Sequence, residues 1–151
     1  MANGLSLEVV ITKDILPNLV GQYGHAADLG LDAWAADTLQ ECKSNAPIKT
    51  GALRASGYRV SPVTNTYGEA AAAFSSRSSR EGAAPQAHLE KHQAVAGFCA
   101  PYALFVNSGH HAGSGFVPAR PFFTNGILAK KDRLAFHITH YVKALCDTGH
   151  V

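Results

Sequence analysis

At 151 residues the chain is long enough to bury one hydrophobic core as a single domain, without disulfide or metal staples. Hydrophobic residues make up 46% and charged ones only 16%, below the roughly one quarter usual for soluble domains, so the composition is globular and part of the surface is expected to be covered by partners. No apolar run approaches the roughly 18 residues of a membrane span, and Met1-Ala2-Asn3-Gly4 opens no signal peptide, so synthesis in the cytosol is expected.

Leu5, Leu7, Val9 and Ile11 alternate with Ser6, Glu8, Val10 and Thr12, which predicts a first strand. Asp14 suits an N-cap and Pro17 a first helical turn. The helix that follows has an apolar stripe of Leu31, Trp34, Ala35, Leu39 and Cys42, with Asp28, Asp32, Asp37 and Glu41 largely off it. Gly21, Gly24 and Gly30 predict a kink or two helical pieces in its first half, and Pro47 ends it. Thr50-Gly51 reads as a turn and Leu53–Val60 as a strand, broken at Ser61-Pro62. Tyr67–Phe74 reads as a second strand, hairpin-paired with the one before.

From Ser75 the composition changes to a serine-arginine run without apolar periodicity. A flexible insert is therefore expected over about 75–97, with a short helix around His88–Ala96. Phe98–Val106 is apolar on both faces, as a central strand is, and Gly109–Gly115 reads as a mobile tip. Pro121 opens a final helix with the stripe Ile127, Leu134, Ile138, Tyr141 or Val142, and Leu145. The expected fold class is α+β: a small, mostly antiparallel sheet packed by one long helix before it and another after it.

Charge is unevenly spread. Residues 1–46 hold two bases against six acids, and the remainder holds eleven bases against five acids. Such asymmetry suits head-to-tail contacts between copies, or equally two solvated faces of opposite sign. Cys42, Cys99 and Cys146 form no Cys-x-x-Cys pair and are expected as free, mostly buried thiols. His137 and His140, and His88 and His92, have spacings that place two imidazoles on one helix face. Neither pair carries the acid of a zinc-protease pattern, so a basic, solvated or partner-facing stripe with Lys130 and Arg133 is preferred to a metal site. No nucleophile elbow, P-loop or dinucleotide fingerprint occurs, and the expectation is a non-enzymatic protein without cofactor.

Two segments remain that generic patterns do not absorb. One is Ala46-Pro47-Ile48-Lys49-Thr50-Gly51-Ala52-Leu53-Arg54. The other is Tyr102-Ala103-Leu104-Phe105-Val106-Asn107-Ser108-Gly109, followed by Pro118-Ala119-Arg120-Pro121-Phe122-Phe123. In this order and separation they resemble the head–tail joining proteins of long-tailed bacteriophages, the minor tail components that complete the neck. The resemblance spans most of the chain and leaves the middle insert unmatched. It implies a structural virion protein, made in the host cytoplasm and assembled as a closed ring, commonly six-fold. Such a ring sits between the capsid connector and the tail tube, and double-stranded DNA passes through it without sequence recognition. It also implies that Thr50, Gly51, Leu53, Arg54, Asn107, Gly109, Arg120, Pro121 and Phe122 serve assembly.

Arg77, Arg80, Lys130, Lys131 and Arg133 form a second set, for phosphate or partner contact. The acidic first helix is a candidate lining of the channel. The sequence departs from the family pattern at Asn107-Ser108-Gly109-His110, where an acidic residue and Gly-Thr usually stand. The alternative is a small cytosolic nucleic-acid-binding module using the basic helix face. A third reading is a metal-dependent hydrolase built on the histidines.

Overall fold

The computed structural model describes residues 5–9, 24–49, 51–78 and 82–148. Thr50, Arg80, and the helix start expected at Asp14 and Pro17 lie outside the described residues. The fold class is α+β, as expected from the sequence. A three-stranded antiparallel sheet carries β3 (Ala94–Phe98) between β1 (Leu5–Val9) and β2 (Gly57–Val60). The register aligns Leu5 and Gly57 with Phe98 from opposite sides. A separate hairpin pairs β4 (His110–Ala112) with β5 (Gly115–Val117).

The described helix α1 (Gly24–Asn45) is uninterrupted, so no kink falls at Gly30, while Gly21 lies outside the described residues. Glycine costs a helix about 1 kcal/mol relative to alanine, but here it permits close packing. A Cβ on Gly30 would stand 2.6 Å from the Ile138 Cα, on the helix α6 (Leu134–Thr148). One on Gly126, in α5 (Phe122–Lys130), would stand 2.8 Å from the Cys42 Cα. Both C-terminal helices therefore cross α1 nearly backbone to backbone. The final helix comes in two pieces, α5 and α6, joined by a 3-10 turn over Lys131–Arg133.

Several local expectations are corrected. Only the second half of Leu53–Val60 is strand, because Ala52–Ala55 forms a single helical turn, α2. Ser56 closes that turn: its N–H donates to the Ala52 carbonyl at 3.0 Å and its hydroxyl to that of Leu53 at 2.7 Å. Tyr67–Ser75 is a helix, α3, not a strand. Its four consecutive alanines are the best helix formers, and the buried Ala70 and Phe74 lie four apart on one face. β2 pairs instead with β3, which begins inside the range expected as a flexible insert and replaces the helix expected near His88–Ala96.

The apolar run Phe98–Val106 is not one central strand. It leaves the sheet after Phe98 and turns at Ala100–Tyr102, where the Ala103 N–H donates to the Ala100 carbonyl at 3.0 Å. It then forms α4 (Ala103–Ser108), whose Leu104 and Phe105 are exposed. The expected mobile tip is the paired β4–β5 hairpin, turning on Gly113-Ser114. Residues 82–93 run over the sheet without regular structure until β3, and Ala84 is tied to Cys99 by an N–H···O bond of 2.7 Å. The main core is aromatic: Phe98 meets Phe122 and Phe123 edge-on at 5.1 and 5.8 Å, and Tyr58 meets Tyr67 at 5.2 Å.

Candidate functional site

Segments that lie far apart in the sequence converge on one cleft of about 660 Å³. The first segment contributes Pro47, Lys49, Gly51, Ala52 and Leu53, and the second contributes Tyr102 and Val106. The hairpin and the approach to α5 add His110, Val117, Pro118 and Arg120, and the end of α3 adds Arg77 and Ser78.

Backbone chemistry fixes these walls. Gly51 has φ 75°, a left-handed conformation that L side chains rarely adopt, and it turns the chain from α1 into α2. Gly109, also at φ 75°, ends α4 and starts the hairpin; a Cβ there would press on the Ala119 nitrogen at 2.8 Å. The Arg120 N–H donates to the Val106 carbonyl at 2.8 Å, and the Arg120 carbonyl accepts from the Phe122 N–H at 2.7 Å. The cation is thus set on a fixed backbone between α4 and α5. Pro121 is exposed at the start of α5, and Phe122 is buried against Phe98.

The remaining residues of the two segments have work inside the chain. Arg54 turns back to the end of α1, donating from Nε to the Ala46 carbonyl at 3.1 Å and from Nη2 to the Ser44 carbonyl at 3.0 Å. It satisfies carbonyls that a helix terminus leaves without partners. Asn107 does the reverse for α5: its Oδ1 accepts from the Phe123 and Thr124 N–H groups at 3.2 and 3.4 Å. Leu53 is a core residue that also reaches the cleft floor. Arg54 and Asn107, expected at an interface, therefore hold the walls of the site and do not line it.

The second set of basic residues divides. Lys130 lies 2.9 Å from Asp37 and 3.8 Å from Glu41, while Arg133 and His137 lie 3.8 and 3.2 Å from the same Asp37. Arg133 also covers the Phe136 ring at 5.2 Å. Burial works against the Asp37 carboxylate. The hydrogen bonds of Lys130 and His137 and the charges of Lys130 and Arg133 outweigh that, and hold its pKa below the ordinary value. Arg59 lies 3.1 Å from Asp32, and His92 3.0 Å from Asp28. The acidic first helix and the basic remainder thus meet within one chain. Lys131 is exposed, and Arg77 combines an exposed side chain with a bond from Nη1 to the Ala73 carbonyl at 3.0 Å.

Burial pushes the Cys42 thiol up to about 12, with the Glu41 charge adding to it, and raises Cys99 as well. Neither thiol is poised as a nucleophile. Cys146 is exposed and free. His88 and His92 do not share a helix face, and among the described residues no three metal-ligating side chains converge. Lys49, His110 and Pro118 appear in the sequence only as members of quoted segments, not among the expected site residues, and Val117 was not singled out. Their only local signal is adjacency to the glycines and prolines that fold the cleft. Around it stand large exposed apolar side chains: Ile48 at 67%, Phe105 at 54%, Phe116 at 60% and Val117 at 42% exposure. No family model, curated protein or solved structure matches this chain.

Proposed function

We propose that this chain is a structural subunit of the neck of a long-tailed bacteriophage. Copies assemble head to tail into a closed ring, commonly of six, joining the capsid-side connector to the tail tube and leaving a passage for double-stranded DNA. The observation that carries this reading is the convergence of the two family-like segments on one end of the molecule, where α4 and the β4–β5 hairpin expose Phe105, Phe116 and Val117 beside Ile48.

An isolated two-stranded hairpin is marginal in water, and every residue from His111 to Arg120 is exposed in the single chain. A neighbour that covers this end supplies the missing burial, and a heterologous contact of this kind closes into a ring when its rotation allows. The alternative of a nucleic-acid module on the basic helix face finds less support, because Lys130, Arg133 and His137 already face Asp37. Electron microscopy of the protein purified with its virion or connector complex tests the proposal. A ring of identical copies at the capsid–tail junction is the expected result, and absence of the chain from that junction overturns it.

A further inference from the structure

The cleft has a property that ring closure does not require. Its floor is apolar, formed by Ala52, Leu53 and Val106, while its rim carries Lys49, Arg77 and Arg120, and among the described residues no carboxylate lines it. Among the described residues, none of these three cations pairs with an acid, whereas Asp28, Asp32, Asp37 and Glu41 of α1 are all engaged within the chain. The acids of α1 among the described residues are therefore neutralised within the chain, while this cleft is left positive.

We infer that this cleft receives an extended acidic segment of another protein, an apolar side chain seated on the floor and flanking carboxylates held by Arg77 and Arg120. The volume suits a few side chains and falls within the range of well-formed ligand sites. Guanidinium forks suit carboxylates; the bond from Arg77 to Ala73 restrains one guanidinium before the ligand arrives, and the bonded backbone at Arg120 fixes where the other side chain starts. A DNA backbone gains nothing from a recessed apolar floor. A second copy of this chain has spent the acids of α1 internally, and among the described residues its exposed acids Glu69, Glu90, Asp132 and Asp147 stand singly, so none of these stretches offers two flanking carboxylates. The inference stands whether or not the chain builds a ring.

A fluorescein-labelled peptide alternating aspartate with leucine is the probe, followed by anisotropy and by methyl NMR of Leu53, Val106 and Val117. The expected result is saturable binding that shifts those methyl signals and weakens on the order of tenfold in the double variant R77Q/R120Q. Binding should be lost when asparagine replaces aspartate in the peptide. Lys49→Gln, far from the core, gives a second and smaller loss, and an unchanged methyl spectrum of each free variant confirms its fold. No binding, equal binding of the asparagine peptide, or equal shifts with inorganic phosphate or a short DNA duplex overturns the inference. So does self-association that shifts the Leu53 and Val106 methyls of the cleft floor without peptide, whereas a shift of the exposed Val117 alone reports ring contact. A ring that forms without peptide binding sinks this inference alone, and peptide binding by a chain that forms no ring sinks only the neck reading.

Discussion

The two ends of the molecule solve opposite problems. Where α5 and α6 cross α1, glycines bring backbones together, Trp34 Nε1 donates to the Lys130 carbonyl at 2.8 Å, and the acids of α1 meet bases from distant parts of the chain. At the α4–hairpin end, cations lack acidic partners among the described residues, and aromatic side chains face solvent. Charges are paired and backbones close-packed where the helices cross, although Leu128 and Phe136 on their outer faces are exposed, while the α4–hairpin end combines those unpaired cations with exposed aromatic rings. The comparison separates stability from assembly, so substitutions at the two ends should fail in different ways.

Phe74→Ala should have the largest effect. The ring is fully buried, and its truncation should cost about 4 kcal/mol, read from urea unfolding. Gly126→Ala comes next, at about 2–3 kcal/mol, because the added methyl meets the Cys42 backbone, which cannot swing aside as a side chain can. A fully stable G126A protein would show that the helical crossing is looser than described.

Asp37→Asn should cost about 1 kcal/mol near neutral pH, since it leaves Lys130, Arg133 and His137 without their shared anion. The folded-state pKa of Asp37 is depressed, so its contribution is present above the unfolded pKa and is lost as the pH falls below about 4 through the folded value. Urea titrations across that range should show a steeper acid loss in the natural protein than in D37N. Parallel pH profiles would contradict the ion-pair assignment. The double variant F105S/F116S should show the smallest stability change, within about 0.5 kcal/mol, because both rings are exposed. It should nonetheless abolish ring assembly in native mass spectrometry, and retained assembly would break the comparison.

Much of this was legible locally. The stripe of α1, the stop at Pro47, the turn at Gly51 and the helix start after Pro121 follow from periodicity and from glycine and proline placement. The stretches that misled are those where composition and context disagree. Tyr67 and Phe74 bracket an alanine run and suggest a strand, yet alanine propensity and one buried face make it helical. Phe98–Val106 is apolar on both faces because its first residue enters the core and its later ones are displayed, which no local pattern distinguishes.

Gly30 was read as a weakness when it is a contact, because its partner Ile138 lies 108 positions on and a local window cannot see it. The same blindness hid the pairing of Lys130 and His137 with Asp37 and made the basic stripe look available. The residues that build the cleft were visible as motifs. Which of them line it, and which act as helix caps, depended on side-chain direction.

The most direct test of this division is electron microscopy of the assembled protein at side-chain resolution. The account predicts a closed ring whose subunit contacts bury Ile48, Phe105, Phe116 and Val117, with the charged pairs of α1 unchanged inside each subunit. A ring held together through the outer face of α5 and α6, with the hairpin and α4 still bare, would contradict it.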